Sequence, residues 1–102
     1  MKIKIKDETY DAELCDTIWK KFRGLMFRKN PKPLFFVFKK PTRQPIHSFF
    51  CKPFRAIWLY NGGIIEDKII KPFKTSIKPK KEFTHLVEIP LESAHPRRDR
   101  KV

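Results

Sequence analysis

"FRAIWLYNGGIIEDKII", Phe54 to Ile70, carries the clearest local signal in the chain. Two runs rich in aromatic and β-branched residues flank Asn61-Gly62, a dipeptide that accepts the positive φ angles a tight hairpin turn demands. Strands over about Phe54–Tyr60 and Ile64–Ile70 are therefore expected to pair antiparallel. Within the first run, alternation puts Phe54, Ala56, Trp58 and Tyr60 on one face and Arg55, Ile57 and Leu59 on the other. So few of these residues are polar that the strand reads as covered on both faces. An outward Trp58/Tyr60 face beside Lys52 and Arg55 is the competing reading.

Working outward, "PIHSFFCKP" (Pro45–Pro53) reads as a preceding core strand, separated from the hairpin at Lys52-Pro53. "LFFVF" (Leu34–Phe38) is too short for a buried helix and rich in strand formers, which suggests a central strand, followed by the basic loop Lys39–Pro45. At the N-terminus "MKIKIKD" alternates Ile3 and Ile5 against lysines. "ETYDAELC" continues with Tyr10, Ala12 and Leu14 on one face, and Asp7-Glu8 offers a turn between the two segments. The period then changes. Asp16 is placed to cap a short helix (16–23) with Ile18, Trp19 and Phe22 on one side, and Gly24 to end it. "THLVEIP" (Thr84–Pro90) is a last strand, and "ESAHPRRDRKV" has no apolar period. The sum is one mainly β domain over residues 1–91, an antiparallel β-sandwich or pseudo-barrel with one short helix, and a basic, mobile tail over 92–102. A chain of 102 residues is one domain's worth and can bury a real core.

These segments, taken together, resemble a known family. "RGLMFR" (Arg23–Arg28), an apolar "LFFVF", "HSFFC" followed by an aliphatic strand, a hairpin, "KPF" and "LVEIP" are similar to domain-of-unknown-function family 192, also called uncharacterised protein family 0127. The resemblance spans roughly residues 23–90, with "RGLMFR" its most specific part. It implies a compact β-sandwich or pseudo-barrel and neither an established activity nor a cofactor. This chain departs from the family pattern at three points. Ala56 stands where the family has an Asp, Cys51 stands for a Met, and "LES" follows "LVEIP" where relatives soon show a Gly.

Charge is unevenly distributed. The formal net charge is +13, yet from Thr17 to Ile65 there is no Asp or Glu while eleven Lys and Arg occur. One part of the surface should be strongly positive, which favours polyanions and phosphorylated ligands. The N-terminus lacks the continuous apolar stretch of a signal peptide, and no apolar run reaches the ~20 residues of a membrane span. Two cysteines, Cys15 and Cys51, are too few for a disulfide framework, so the expected compartment is the reducing cytoplasm. Abundant Lys, nine Pro and a single Gln resemble a heat-adapted composition.

Catalytic chemistry has little support. The acid-free centre lacks the paired carboxylates of general acid–base catalysis, and no nucleophile, phosphate-loop or dinucleotide motif occurs. His47 and Cys51, four residues apart on a strand, would lie about 13 Å from each other. No zinc-ligand spacing is present, so no catalytic residue, metal or cofactor is expected. The leading expectation is a binding module for an anionic small ligand or protein partner, with Arg23, Arg28, His47, Lys52 and Arg55 forming an anion-binding mouth. The alternative is weak, non-specific binding of single-stranded RNA or DNA. Trp58 and Tyr60 would stack bases there, and Lys39, Lys40 and Arg43 would hold phosphates. An enzyme of unknown reaction is the third option.

Overall fold

The computed structural model describes residues 1–16, 32–48 and 51–91. Among these residues seven strands follow one another: β1 (Lys2–Ile5), β2 (Glu8–Asp11), β3 (Glu13–Cys15), β4 (Leu34–Thr42), β5 (Phe54–Tyr60), β6 (Gly63–Ile70) and β7 (Phe83–Pro90). β1 and β2 form a two-stranded hairpin. The other five make one sheet in the order β3-β4-β7-β5-β6. The molecule is thus mainly β with two sheets, and the larger sheet stays open, because its end strands β3 and β6 do not meet. Barrel closure is therefore not seen. Nor is the sheet wholly antiparallel, since β3 runs parallel to β4. Of the expected helix (16–23) only Asp16 is described, and the C-terminal tail (92–102) lies outside the described residues.

The hairpin forms as its sequence dictates. Leu59 pairs with Ile64 and Tyr60 with Gly63, leaving Asn61-Gly62 as the two-residue loop, both with positive φ (54° and 79°). β5 is then buried on both faces. Phe54, Ala56 and Trp58 join one cluster with Cys15, Leu34, Phe36, Phe83 and Leu86. Ile57 joins Ile5, Tyr10, Val87 and Ile89 in a second cluster, which the β1–β2 hairpin closes from above. Fully burying each such large apolar side chain contributes about 1.5–3 kcal/mol. β7, between β4 and β5, is the middle strand.

Several local expectations need correction. Lys39–Thr42 is strand, not loop: β4 continues through it with a register irregularity between Val37 and Thr42. Pro41 is tolerated because the ladder is already interrupted there. Leu14 is exposed and Cys15 buried, since the chain leaves the hairpin at Ala12 and restarts in the other sheet with its alternation reset. Within Pro45–Pro53 no strand precedes the hairpin among the described residues. Only Ile46 makes an isolated bridge, to Ile77. This segment is instead knitted to the β6–β7 connection. The buried Ser48 hydroxyl donates to the Lys71 carbonyl (2.6 Å) and accepts from the Lys74 amide (2.8 Å). Ile46 and Ile77 pack over the Trp58 cluster. These two connections therefore cover the face opposite the β1–β2 hairpin.

Candidate functional site

Of the five residues expected to form an anion mouth, the structure describes His47, Lys52 and Arg55. Arg23 and Arg28 lie outside the described residues. His47 is half-buried beside Ser48, and Lys52 is exposed just before β5. Arg55 is committed elsewhere. Strand alternation turns it to the Ile57 face, where its Nε and Nη2 donate to Asp67 Oδ1 and Oδ2 at 2.9 and 2.7 Å. Lys6 Nζ stands 3.5 Å from the same carboxylate. The Arg55 guanidinium beside Asp67 holds that carboxyl below its ordinary range. Burial and the hydrogen bond to Glu8 push the Tyr10 hydroxyl up to about 12. Arg55 lines a hollow of 290 Å³ with Ile5, Lys6, Asp7 and Glu8. The three acids there and nearby, Asp7, Glu8 and Asp67, make it a poor seat for an anion. Arg55 thus ties β5 to β6 through Asp67, and Lys6 brings the β1–β2 hairpin to the same carboxylate.

Trp58 also departs from its expected role. It is 0% exposed, under Phe83 (ring centroids 6.5 Å apart), and its buried indole Nε1–H has no acceptor among the described residues. A ring in that position cannot stack on a base. Tyr60, two residues on and at the same face of β5, is 42% exposed. The covering layer of connections ends before it.

Tyr60 opens onto a shallow cleft of 470 Å³ lined by Arg43, Ile65, Lys80, Lys81 and Glu82. Its walls are fixed. Arg43 Nε and Nη2 both donate to the Pro79 carbonyl, at 3.1 and 3.0 Å, which holds the guanidinium plane at the rim. Glu66 accepts from the Lys80 amide (3.0 Å) and pairs with Lys68 Nζ (2.8 Å), so the turn before β7 is tied to β6. The bond from Lys68, with the Lys80 amide adding to it, lowers the Glu66 pKa and keeps this tie ionised. Lys39 and Lys40 are exposed on the stretch of β4 that leads to Arg43. Three cations, one carboxylate and an open aromatic ring therefore share one surface. The sequence signals Tyr60, Arg43, Lys39 and Lys40. Lys80 and Lys81 sit in a "KPKKEF" run that reads only as a loop, and nothing local says that it folds beside Tyr60.

Other chemistry is sparse. Among the described residues no group of three or more His, Cys, Asp or Glu side chains is arranged to hold a metal ion. Cys15 and Cys51 are buried and not disulfide-bonded. Burial, with a smaller effect of the Glu88 charge, pushes the Cys51 thiol up to about 11, which leaves it a poor nucleophile at neutral pH. Among the described residues no helix is long and apolar enough to cross a membrane.

No protein-family model matches the chain. No curated protein matches it either. Two solved structures share its fold. A protein of unknown function from Novosphingobium aromaticivorans superposes with a TM-score of 0.72 at 16% identity, over 88% of this chain and 71% of that one. A "putative transcription regulator" from Sinorhizobium meliloti gives 0.71 at 16% identity, over 87% of this chain and 76% of that one.

Proposed function

We propose that the protein is a binding module for anions and that its site is the Tyr60 cleft, which takes single-stranded nucleic acid. The observation that carries this reading is the placement of a half-exposed tyrosine ring in one cleft with Arg43, Lys80 and Lys81. A flat ring gives a base a stacking surface of any sequence, and the cations beside it meet the flanking phosphates. Arg43 adds a planar fork already oriented by its bonds to Pro79. Lys39 and Lys40, exposed on β4 before Arg43, add to the positive charge of the chain around it. The description of one structural neighbour as a transcription regulator agrees with such a partner, though that neighbour shows only the fold. Kinship with domain-of-unknown-function family 192 remains part of this proposal and rests on the sequence segments that resemble it, "RGLMFR" above all. Work in a reducing, cytoplasmic setting is also part of it, supported by two thiols outside any disulfide.

The test is a fluorescence titration with a short single-stranded RNA at two salt concentrations. Binding is expected to weaken with salt, with a log–log slope of about −2 if all three cleft cations neutralise phosphates at ~0.7 each. Tyr60→Ala should weaken it about tenfold, as loss of one stacked base does. Lys80→Glu with Lys81→Glu should flatten the salt slope. Absence of binding at low salt, or equal affinity in all variants, ends the proposal.

A further inference from the structure

β6 ends the five-stranded sheet, and no strand among the described residues covers its outer edge. Unpaired N–H and C=O groups along such an edge are a template for another strand. Most edges are protected by charge or by a break in the apolar pattern. β6 has both charge and a bulge, but they are arranged so that the strand complements itself. We propose that β6 pairs antiparallel with β6 of a second copy, about a two-fold axis at Asp67.

The register follows from the side chains. Glu66 and Lys68, on the Trp58 face, stand one residue either side of Asp67. In the antiparallel pair, Glu66 of each copy lies opposite Lys68 of the other, and opposite charges in directly facing positions stabilise a sheet. The bulge between Trp58 and Leu59 makes Ile65 an extra residue, so Ile64 falls on the opposite face, with Asp67 and Ile69. Ile64 is 39% and Ile69 55% exposed. With Ile65 skipped, Ile64 of one copy meets Ile69 of the other, and the exposed apolar side chains of this strand cover each other twice. The unfavourable contact is Asp67 with its own counterpart. Each Asp67 already carries the bidentate bond from Arg55 and the nearby Lys6 ammonium, which offset its charge. The result is a continuous sheet running through both copies. Ile65 lines the Tyr60 cleft, so the two clefts open on the same face, one on each side of the axis. The pairing does not depend on what the cleft binds.

Sedimentation velocity on the full chain over a dilution series tests the proposal, in moderate salt to screen the positive charge. The wild type is expected to double in mass. Glu66→Lys alone and Lys68→Glu alone should each be monomeric, because each sets like charges against each other on both sides of the axis. Mixed one to one, the two variants should form a heterodimer, since the substituted lysine then faces the substituted glutamate and native Lys68 faces native Glu66. An effect confined to the Glu66–Lys68 pair within one chain does not produce that rescue. A monomeric wild type at every concentration, single variants that remain dimeric, or a mixture that remains monomeric each overturns the assignment.

Discussion

Arg55 belongs to a stretch without a single acid from Thr17 to Ile65, yet its charge is balanced. Its partner, Asp67, is two residues past the end of that stretch and comes back beside it across the hairpin. Arg55 pairs with Ile69 and Ile57 with Asp67, so Asp67 is the diagonal neighbour on the same face, within reach of a long side chain. The bidentate geometry and partial burial place this pair at the upper end of what exposed ion pairs contribute, about 1 kcal/mol. Because the folded Asp67 pKa is depressed, this stability is fully present above the ordinary carboxylate value near 4. It is lost as pH falls through the lower folded value. Asp67→Asn should therefore lower the urea midpoint at pH 7, and the gap from the wild type should close as the pH is taken well below 4. A gap that stays constant with pH would show that the carboxylate charge is not what stabilises. Trp58 and Tyr60 make a related point. Alternation correctly puts both on one face of β5, but only the long-range packing of Ile46, Ile77 and Phe83 buries the first and leaves the second open.

Among the elements, the β5–β6 hairpin is fixed by the most local chemistry, and its turn gives a clean test. Gly62 has φ +79°, and a Cβ added there would meet nothing within 4 Å. Gly62→Ala therefore loses only the conformational freedom of glycine in the left-handed region, a cost of about 1–2 kcal/mol. Gly63, outside that region and with its nearest neighbour, the Tyr60 carbonyl, at 3.7 Å, should accept Ala with little change. Unfolding free energies of the two variants from urea titrations should differ by that amount at equal denaturant slope, and equal midpoints would mean that the turn relaxes to another type. Elements of this local kind were legible in the sequence: β5, β6, β7 and the N-terminal hairpin follow from periods of two and from turn residues. What was not legible depends on distant pairing. β3 lies parallel to β4 across the segment that separates them, β4 runs on past an irregularity to Thr42, which pairs with Phe83 of β7, and Pro45–Ser48 is organised by the β6–β7 connection. The candidate site divides in the same way. Tyr60 and Arg43 carried a signal, whereas Lys80 joins them only once Glu66 ties its amide to β6.

At the scale of the whole molecule, 24 cations face 11 anions, and this imbalance should dominate the response to salt. Each surface ion pair contributes at most about 1 kcal/mol and weakens with screening. Repulsion among the excess cations acts over longer distances and also weakens with screening, but in the opposite, stabilising direction. Raising ionic strength from ~0.01 to ~0.1 M shortens the screening length from about 30 to about 10 Å, enough to cut most of the long-range repulsion while sparing contacts such as Arg55–Asp67. The melting temperature is therefore expected to rise with added sodium chloride over this range. A gain of about 1 kcal/mol corresponds to several degrees for a domain of this size. Self-association through β6 should strengthen over the same interval, because it brings two cationic molecules together, whereas binding of RNA at the Tyr60 cleft should weaken as counterion release loses its advantage. The three responses have one cause and different signs, so measuring them together separates the general charge of the surface from the specific sites upon it. A melting temperature that falls with salt would mean that paired charges, Arg55 with Asp67 and Glu66 with Lys68 among them, outweigh the net repulsion, and would reverse the expected salt dependence of the β6 interface as well.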